Sequence, residues 1–342
     1  MLVASAVLLS PLAIPQAHAA GASITGGAMR PGFNQTALAA NDDGSTGLVP
    51  LNFTVNFFGT NYTSLYVNNN GDLTFDSALV TFTPFPLTTT QRVIIAPYFA
   101  DVDTRVGNLL RYGNGTVNGH PAFGATWPGV GCYNQINIVK DYFQVVLIYR
   151  PDIAPGDFDI EFNYNSIQWE SGTASGGNSL CLAGSSARVG FSAGTGASGT
   201  FFELAGSGVN GAFLDSNNQT GLIHNSLNSA QLGRYLFAVR AGTPVIVPIV
   251  VTCSGPVTVG VSSTCAVTVT DTSAAPTTPA GTVSFMSDSP GSFTGSPCTL
   301  AGSGSSATCH AEYTPSAVGS GTHTITATYS GDVSHSASSE QG

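Results

Sequence analysis

From Asp157 to Tyr164 polar and apolar residues alternate one for one: Asp157-Phe158-Asp159-Ile160-Glu161-Phe162-Asn163-Tyr164. A period of two puts Phe158, Ile160, Phe162 and Tyr164 on one face of an extended strand and the carboxylates and amide on the other, whereas a helix would scatter both sets around its axis. One face of this strand is therefore expected in a core and the other in water. Similar short runs, β-branched or aromatic and bounded by Gly, Pro, Asn or Asp, occupy 51–57, 65–67, 73–75, 93–98, 143–149, 188–192 and 235–240. Asn70-Gly71, between the second and third of these, predicts a type I′ hairpin turn, which needs positive φ at both central residues. No run of ten or more residues carries a helical period, so the fold class is all-β.

A chain of 342 residues exceeds what one core usually organises, and its composition changes near residue 241. Before that point aromatic-rich strands are punctuated by Asn-Gly and Asp-Gly; beyond it Thr, Ser, Val and Gly dominate. Residues 241–244, Ala-Gly-Thr-Pro, are expected to link a first domain at 20–240 to a second at 245–342. The second domain alternates at 265–270, 281–285, 308–313 and 323–329, the spacing of a β-sandwich.

Residues 1–19 predict a secretory signal peptide. An apolar run at 2–14 is too short to span a bilayer, and Ala17-His18-Ala19 ahead of Ala20 has the small-x-small form of a cleavage site. The usual Lys or Arg before the apolar run is missing, which leads to the expectation that the true start lies upstream. Charged residues make up 8 % of the chain and the formal net charge is −10, so phosphate backbones and anionic lipid are repelled: nucleic acid and electrostatic membrane partners are not expected. After the leader the longest apolar run, 245–251, is interrupted by Pro248, and no transmembrane segment is expected in the mature chain.

Two stretches, Tyr66-Val67-Asn68-Asn69-Asn70-Gly71-Asp72-Leu73-Thr74-Phe75 and Ile94-Ile95-Ala96-Pro97-Tyr98-Phe99-Ala100-Asp101-Val102-Asp103-Thr104-Arg105, carry a likeness to a known family. They are followed in order by the segments 143–148, 158–164 with Ile167-Gln168-Trp169, 187–191 and 233–237. Together they resemble the nidogen-like extracellular (NIDO) domain, a module of adhesion and matrix proteins. Gly281-Thr282-Val283-Ser284-Phe285, Tyr313-Thr314-Pro315 and the closing Tyr329-Ser330-Gly331-Asp332 resemble the tandem immunoglobulin-like repeats of bacterial surface proteins. In such repeats a last strand follows the Gly-Asp turn; here it is expected to be absent or a stub, and the sequence to be a fragment of a longer surface protein. The resemblance implies a nidogen-like β-rich domain followed by an immunoglobulin-like β-sandwich.

Six cysteines in an exported chain imply a disulfide framework. Domain membership pairs Cys132 with Cys181 and leaves three arrangements for Cys253, Cys265, Cys298 and Cys309. The resembled repeats imply Cys253 with Cys265 and Cys298 with Cys309, each closing a hairpin-sized loop that would contribute roughly 3 kcal/mol. No Cys-x-x-Cys pair suggests zinc.

Catalytic constellations are sparse. His120, His224, His310, His323 and His335 sit in separate segments without metal-ligand spacing, and no Gly-x-Ser-x-Gly elbow is present. Asp157, Asp159 and Glu161, with Glu170 further on, offer carboxylates for glycosidase-like chemistry, but as a ladder they are expected to be a solvated strand face. No cofactor other than calcium is expected. Asn41-Asp42-Asp43-Gly44-Ser45 and Asp101-Val102-Asp103 concentrate hard oxygen ligands in loops, and of these Asp101 and Asp103, directly after an apolar strand, are the calcium candidates. Their alternative role is hydrogen bonding across the turn, to Arg105.

The expected function is that of a secreted or cell-surface, non-catalytic adhesion or matrix-binding protein, in which the nidogen-like domain binds an extracellular protein or glycan and the immunoglobulin-like domain is a spacer. The alternative is a polysaccharide-binding accessory protein, which would use Trp127, placed by its Gly and Pro neighbours in an exposed loop; Trp169 is expected in the core.

Overall fold

The computed structural model describes residues 27–341 apart from 198, 230, 245–248, 272–275, 320, 333–334 and 336–337. The expected signal peptide and its cleavage site lie outside the described residues. Both domains are built from antiparallel strands, and among the described residues no helix is long and apolar enough to cross a membrane.

The first domain runs β1 (Thr36–Ala37), β2 (Val49–Phe57), β3 (Thr60–Asn68), β4 (Asp72–Thr74), β5 (Val93–Phe99), β6 (Val102–Gly107), β7 (Arg111–Val117), β8 (His120–Cys132), β9 (Ile136–Tyr149), β10 (Phe158–Ser166), β11 (Arg188–Ala193), β12 (Phe201–Glu203), β13 (Arg234–Arg240) and β14 (Thr243–Pro244). One sheet has the order β1-β7-β8-β9-β10-β13-β14 with β6 also on β8; the other is β12-β11-β5-β4-β3-β2. Their facing sides share one core, in which Phe57 meets Phe158 and Phe191 meets Phe237 in edge-on ring contacts at 6.0 and 5.3 Å. Aromatic pairs in this geometry add to the area they remove from water.

Strand β10 departs from the expected half-solvated strand. Phe158, Ile160 and Phe162 enter the core as the alternation requires, but Asp159, Glu161 and Asn163 are buried as well. The strand is central, between β9 and β13, and its polar face is covered by arginines. Arg150 and Arg240 pair with Asp159 at 2.8 and 2.6 Å, and Arg30 grips both oxygens of Glu161 at 2.6 and 2.7 Å. Asp157 accepts the Ala241 N–H at 2.8 Å. Alternation reports the chemistry of a face, not whether water or guanidinium covers it.

The sequence 241–244 is a turn within the first domain instead of a free linker. Ala241 and Gly242 both have positive φ, Arg240 pairs with Thr243, and the Gly242 carbonyl accepts the Phe58 N–H at 2.5 Å. Asn118-Gly119 between β7 and β8 has the same two-residue geometry with both φ positive. At Asn70-Gly71 only Gly71 has positive φ, and three residues separate the Asn68–Asp72 pair, so this hairpin is not type I′.

The second domain comprises β15 (Ile249–Cys253), β16 (Ser263–Thr270), β17 (Thr282–Ser287), β18 (Gly291–Thr294), β19 (Cys298–Thr299), β20 (Ala301–Ser303), β21 (Ser306–Pro315), β22 (Ile325–Tyr329) and β23 (Ser338–Gln341). Sheet β15-β16-β21-β18, with β20 also on β21, faces sheet β19-β17-β22-β23 over a core that includes Val267, Val283, Phe285 and Tyr329. A last strand does follow the Gly331-Asp332 turn: four residues, β23, pair with β22.

All six cysteines are bonded: Cys132–Cys181, Cys253–Cys265 and Cys298–Cys309. The second joins directly opposed residues of β15 and β16, and the third links β19 in one sheet to β21 in the other.

Candidate metal centre

The Asn68-Asn69-Asn70-Gly71 hairpin between β3 and β4 gathers two distant acidic segments. Asn68 Oδ1 accepts from Ser45 Oγ at 2.7 Å, and its amide donates to Asp72 at 2.5 Å and to Thr74 at 3.0 Å. The Asn69 amide donates to the backbone carbonyls of Asp42 and, at 2.6 Å, of Val102. Asn70 donates to Asp43 Oδ1 at 2.9 Å and accepts the Val102 N–H at 3.0 Å. The loop after β1 and the β5–β6 junction thus share one scaffold. Buried amides with every bond satisfied hold a single geometry, because any alternative leaves a polar group unpaired.

As a result the carboxylates of Asp42, Asp43 and Asp101 converge, with one oxygen from each lying within 4.8 Å of the others. They line a cavity of about 140 Å³ with Phe82, Tyr133 and Ala174. Asp101 is 1 % exposed, and its Oδ2 has no hydrogen-bond partner. Buried Asp42 Oδ1 has none either. The far wall is the segment following Trp169. It is fastened by Cys132–Cys181 and by the Thr173 N–H to the Tyr133 carbonyl at 2.9 Å. Gly172 makes room there, since a Cβ on it would stand 2.0 Å from Asp101 Oδ2.

The electrostatics follow from this crowding. Burial, and then the charges of Asp42, Asp43 and Asp103, push Asp101 up to about 7 against the opposing effect of the Ser175 hydroxyl. Burial, and then Asp103 and Asp43, raise Asp42 to about 6 against the opposing pull of Arg105, 3.2 Å away. Asp103 behaves differently. Burial favours its neutral form, but Arg105 and the N–H groups of Arg105 and Gln135 outweigh this and hold it below the ordinary carboxylate value.

The structure therefore separates Asp101 from Asp103. The Val102 N–H bonds the Ala100 carbonyl at 3.0 Å, a tight turn that breaks the strand period between them. Asp103 turns to Arg105, while Asp101 joins Asp42 and Asp43 instead. The signal for this grouping was the acidic loop at 41–45; its contact with the β5–β6 junction is tertiary.

Trp127 is fully buried, which removes the exposed stacking face that a sugar site would have used. It lies in β8, stacks on Phe143 at 4.7 Å and donates its indole N–H to the Asn69 carbonyl at 2.8 Å, so it braces the hairpin from beneath. Trp169 is likewise in the core. Glu170 accepts the backbone N–H groups of Ala183 and Gly211 at 2.8 and 2.6 Å, and its carboxylate holds the loop. A larger cleft of about 470 Å³, lined among others by Arg30, Arg111, Thr126 and Gln144, contains no carboxylate pair.

The model of the nidogen-like domain matches residues 63–241, and that of the bacterial Ig-like domain (group 3) matches 250–342. The chain belongs to the nidogen-like domain family. Its nidogen-like part is 34 % identical over 187 residues to alpha-tectorin of Mus musculus and 33 % to that of Homo sapiens, covering 47 % of this chain and 8 % of each tectorin. It is 28 % identical over 214 residues to nidogen of Drosophila melanogaster, covering 54 % of this chain and 15 % of that protein. The chain thus spans a small part of these relatives. No catalytic family is among the matches, and no solved structure matches. The acidic cluster straddles the edge of the nidogen-like match: Asp101 lies inside it, and Asp42 and Asp43 precede it.

Proposed function

We propose that this chain is a secreted, non-catalytic binding protein of a bacterial surface, in which the nidogen-like domain recognises an extracellular protein or glycan and the Ig-like domain holds it at a distance. The observation that carries this reading is the pairing of the two modules in one chain, nidogen-like at 63–241 and Ig-like at 250–342. Full pairing of the six cysteines suits an oxidising compartment outside the cytoplasm. The sparse charge, −10 in total with one lysine, suits partners met through amides and hydroxyls more than through phosphate.

The test is binding of the whole chain, and of its two domains expressed separately, to a panel of matrix proteins, cell-wall polymers and glycans. Saturable binding by the chain and by its nidogen-like domain, with none by the Ig-like domain, is the expected result. Binding carried by the Ig-like domain alone, or by neither, contradicts the assignment of roles.

A further inference from the structure

We propose that Asp42, Asp43 and Asp101 bind a calcium ion that clamps the loop after β1 to the β5–β6 junction. Three carboxylate oxygens within 4.8 Å of one another form the acidic cluster. A second observation is independent of it: the Asp101 side chain is almost wholly buried, lines the cavity, and presents an Oδ2 without a hydrogen-bond partner. An unpaired buried carboxylate oxygen is costly, and a hard cation satisfies it. Neighbouring cations do not fill this role. Arg105 is committed to Asp103 through two nitrogens and meets Asp42 at one edge, and among the described residues no ion pair reaches Asp43 or Asp101.

Ligand chemistry favours calcium. Three carboxylates, each mono- or bidentate, supply three to six of the six to eight oxygens that calcium takes. A cavity of about 140 Å³ has room for the ion and for waters completing its shell. The absence of histidine and cysteine from the cluster argues against zinc. The site joins residues on both sides of the start of the nidogen-like match at residue 63, with Asp101 inside it and Asp42 and Asp43 ahead of it.

The experiment uses the whole chain stripped with chelator. Thermal unfolding is followed as calcium is added, and terbium luminescence, sensitised by Tyr133 on the cavity wall, reports direct binding. Tm is expected to rise with calcium, half-saturating at about 10⁻⁴–10⁻³ M as in extracellular modules. Calcium is expected to displace terbium. Asp101→Asn keeps the shape of the side chain and Gly172→Ala pushes on its Oδ2; each is expected to weaken binding tenfold or more, whereas Asp76→Asn, at a residue outside the cluster that pairs with Arg92, leaves it unchanged. If Asp101→Asn fails to fold, Gly172→Ala and Asp43→Asn carry the test. Unchanged Tm with no terbium emission in the wild type overturns the proposal, as does full binding in the folded variants.

Discussion

Asn70 donates its side-chain amide to Asp43 Oδ1 at 2.9 Å while accepting the backbone N–H of Val102 at 3.0 Å, so one side chain joins the two acidic segments. Removing it strands a buried N–H and frees the Asp43 loop. Asn70→Ala is expected to destabilise the nidogen-like domain by about 2–3 kcal/mol, read as a fall in urea midpoint at constant slope. Loss of less than about 0.5 kcal/mol would show that the amide is replaceable by water.

Gly71 ends that hairpin at φ +85°, and a Cβ there would stand 1.8 Å from the Tyr98 carbonyl oxygen. Gly59 has nearly the same φ, +83°, with nothing nearby. Gly59→Ala should therefore cost about 1 kcal/mol, from backbone strain alone, and Gly71→Ala about 3 kcal/mol or more, from strain plus collision with main chain. Equal costs in chemical denaturation would contradict the packing of the hairpin against β5.

Asp72 is fully buried, with one oxygen on Asn68 and the other unpartnered. Burial pushes its carboxyl up to about 7, against the opposing effects of Asn68 and Arg92. A folded-state value above the unfolded one means that folding takes up a proton. The contribution is whole below the unfolded value of 3.8 and is lost as pH rises to about 7, at up to about 1.4 kcal/mol per pH unit. Asp72→Asn removes this dependence. Denaturant curves at pH 5 and pH 8 should show the variant gaining on the wild type at the higher pH; a difference independent of pH would refute it.

Arg30 holds both oxygens of Glu161, which besides has the Asn163 amide at 2.7 Å and Arg234 at 3.4 Å. Arg30→Met should cost about 3 kcal/mol, since it leaves a buried carboxylate short of partners, and Arg30→Met with Glu161→Leu should recover part of that loss. Additive losses in this double-mutant cycle would mean that the pair is not coupled.

The strands at 93–98, 143–149 and 158–164 were legible, the first two from their β-branched and aromatic content and the third from its alternation, because these are local signals and each strand sends apolar side chains into a shared core. Strand β8 was not. Pro128 and Gly129 beside Trp127 read as a loop, yet the strand runs through them, and its other glycines serve packing: Gly124 is there because Phe33 lies where its Cβ would be, and Gly131 because the Ile136 carbonyl does. Glycines serving close approach look like glycines serving turns. The misreading carried Trp127 to the surface in expectation. The same limit hid how the two acidic segments come together. Asp101 was visible beside its strand, but its meeting with Asp42 and Asp43 depends on Asn69 and Asn70, whose amides read locally as turn residues.

The most direct measurement of the central claim, that this hairpin folds two acidic segments into one cation site, is an anomalous difference map from crystals of the chain grown with calcium. A single peak between the carboxylates of Asp42, Asp43 and Asp101, with Asp103 still on Arg105, is the result predicted. A map with no peak there at saturating calcium, or with the ion on Asp103, would contradict it.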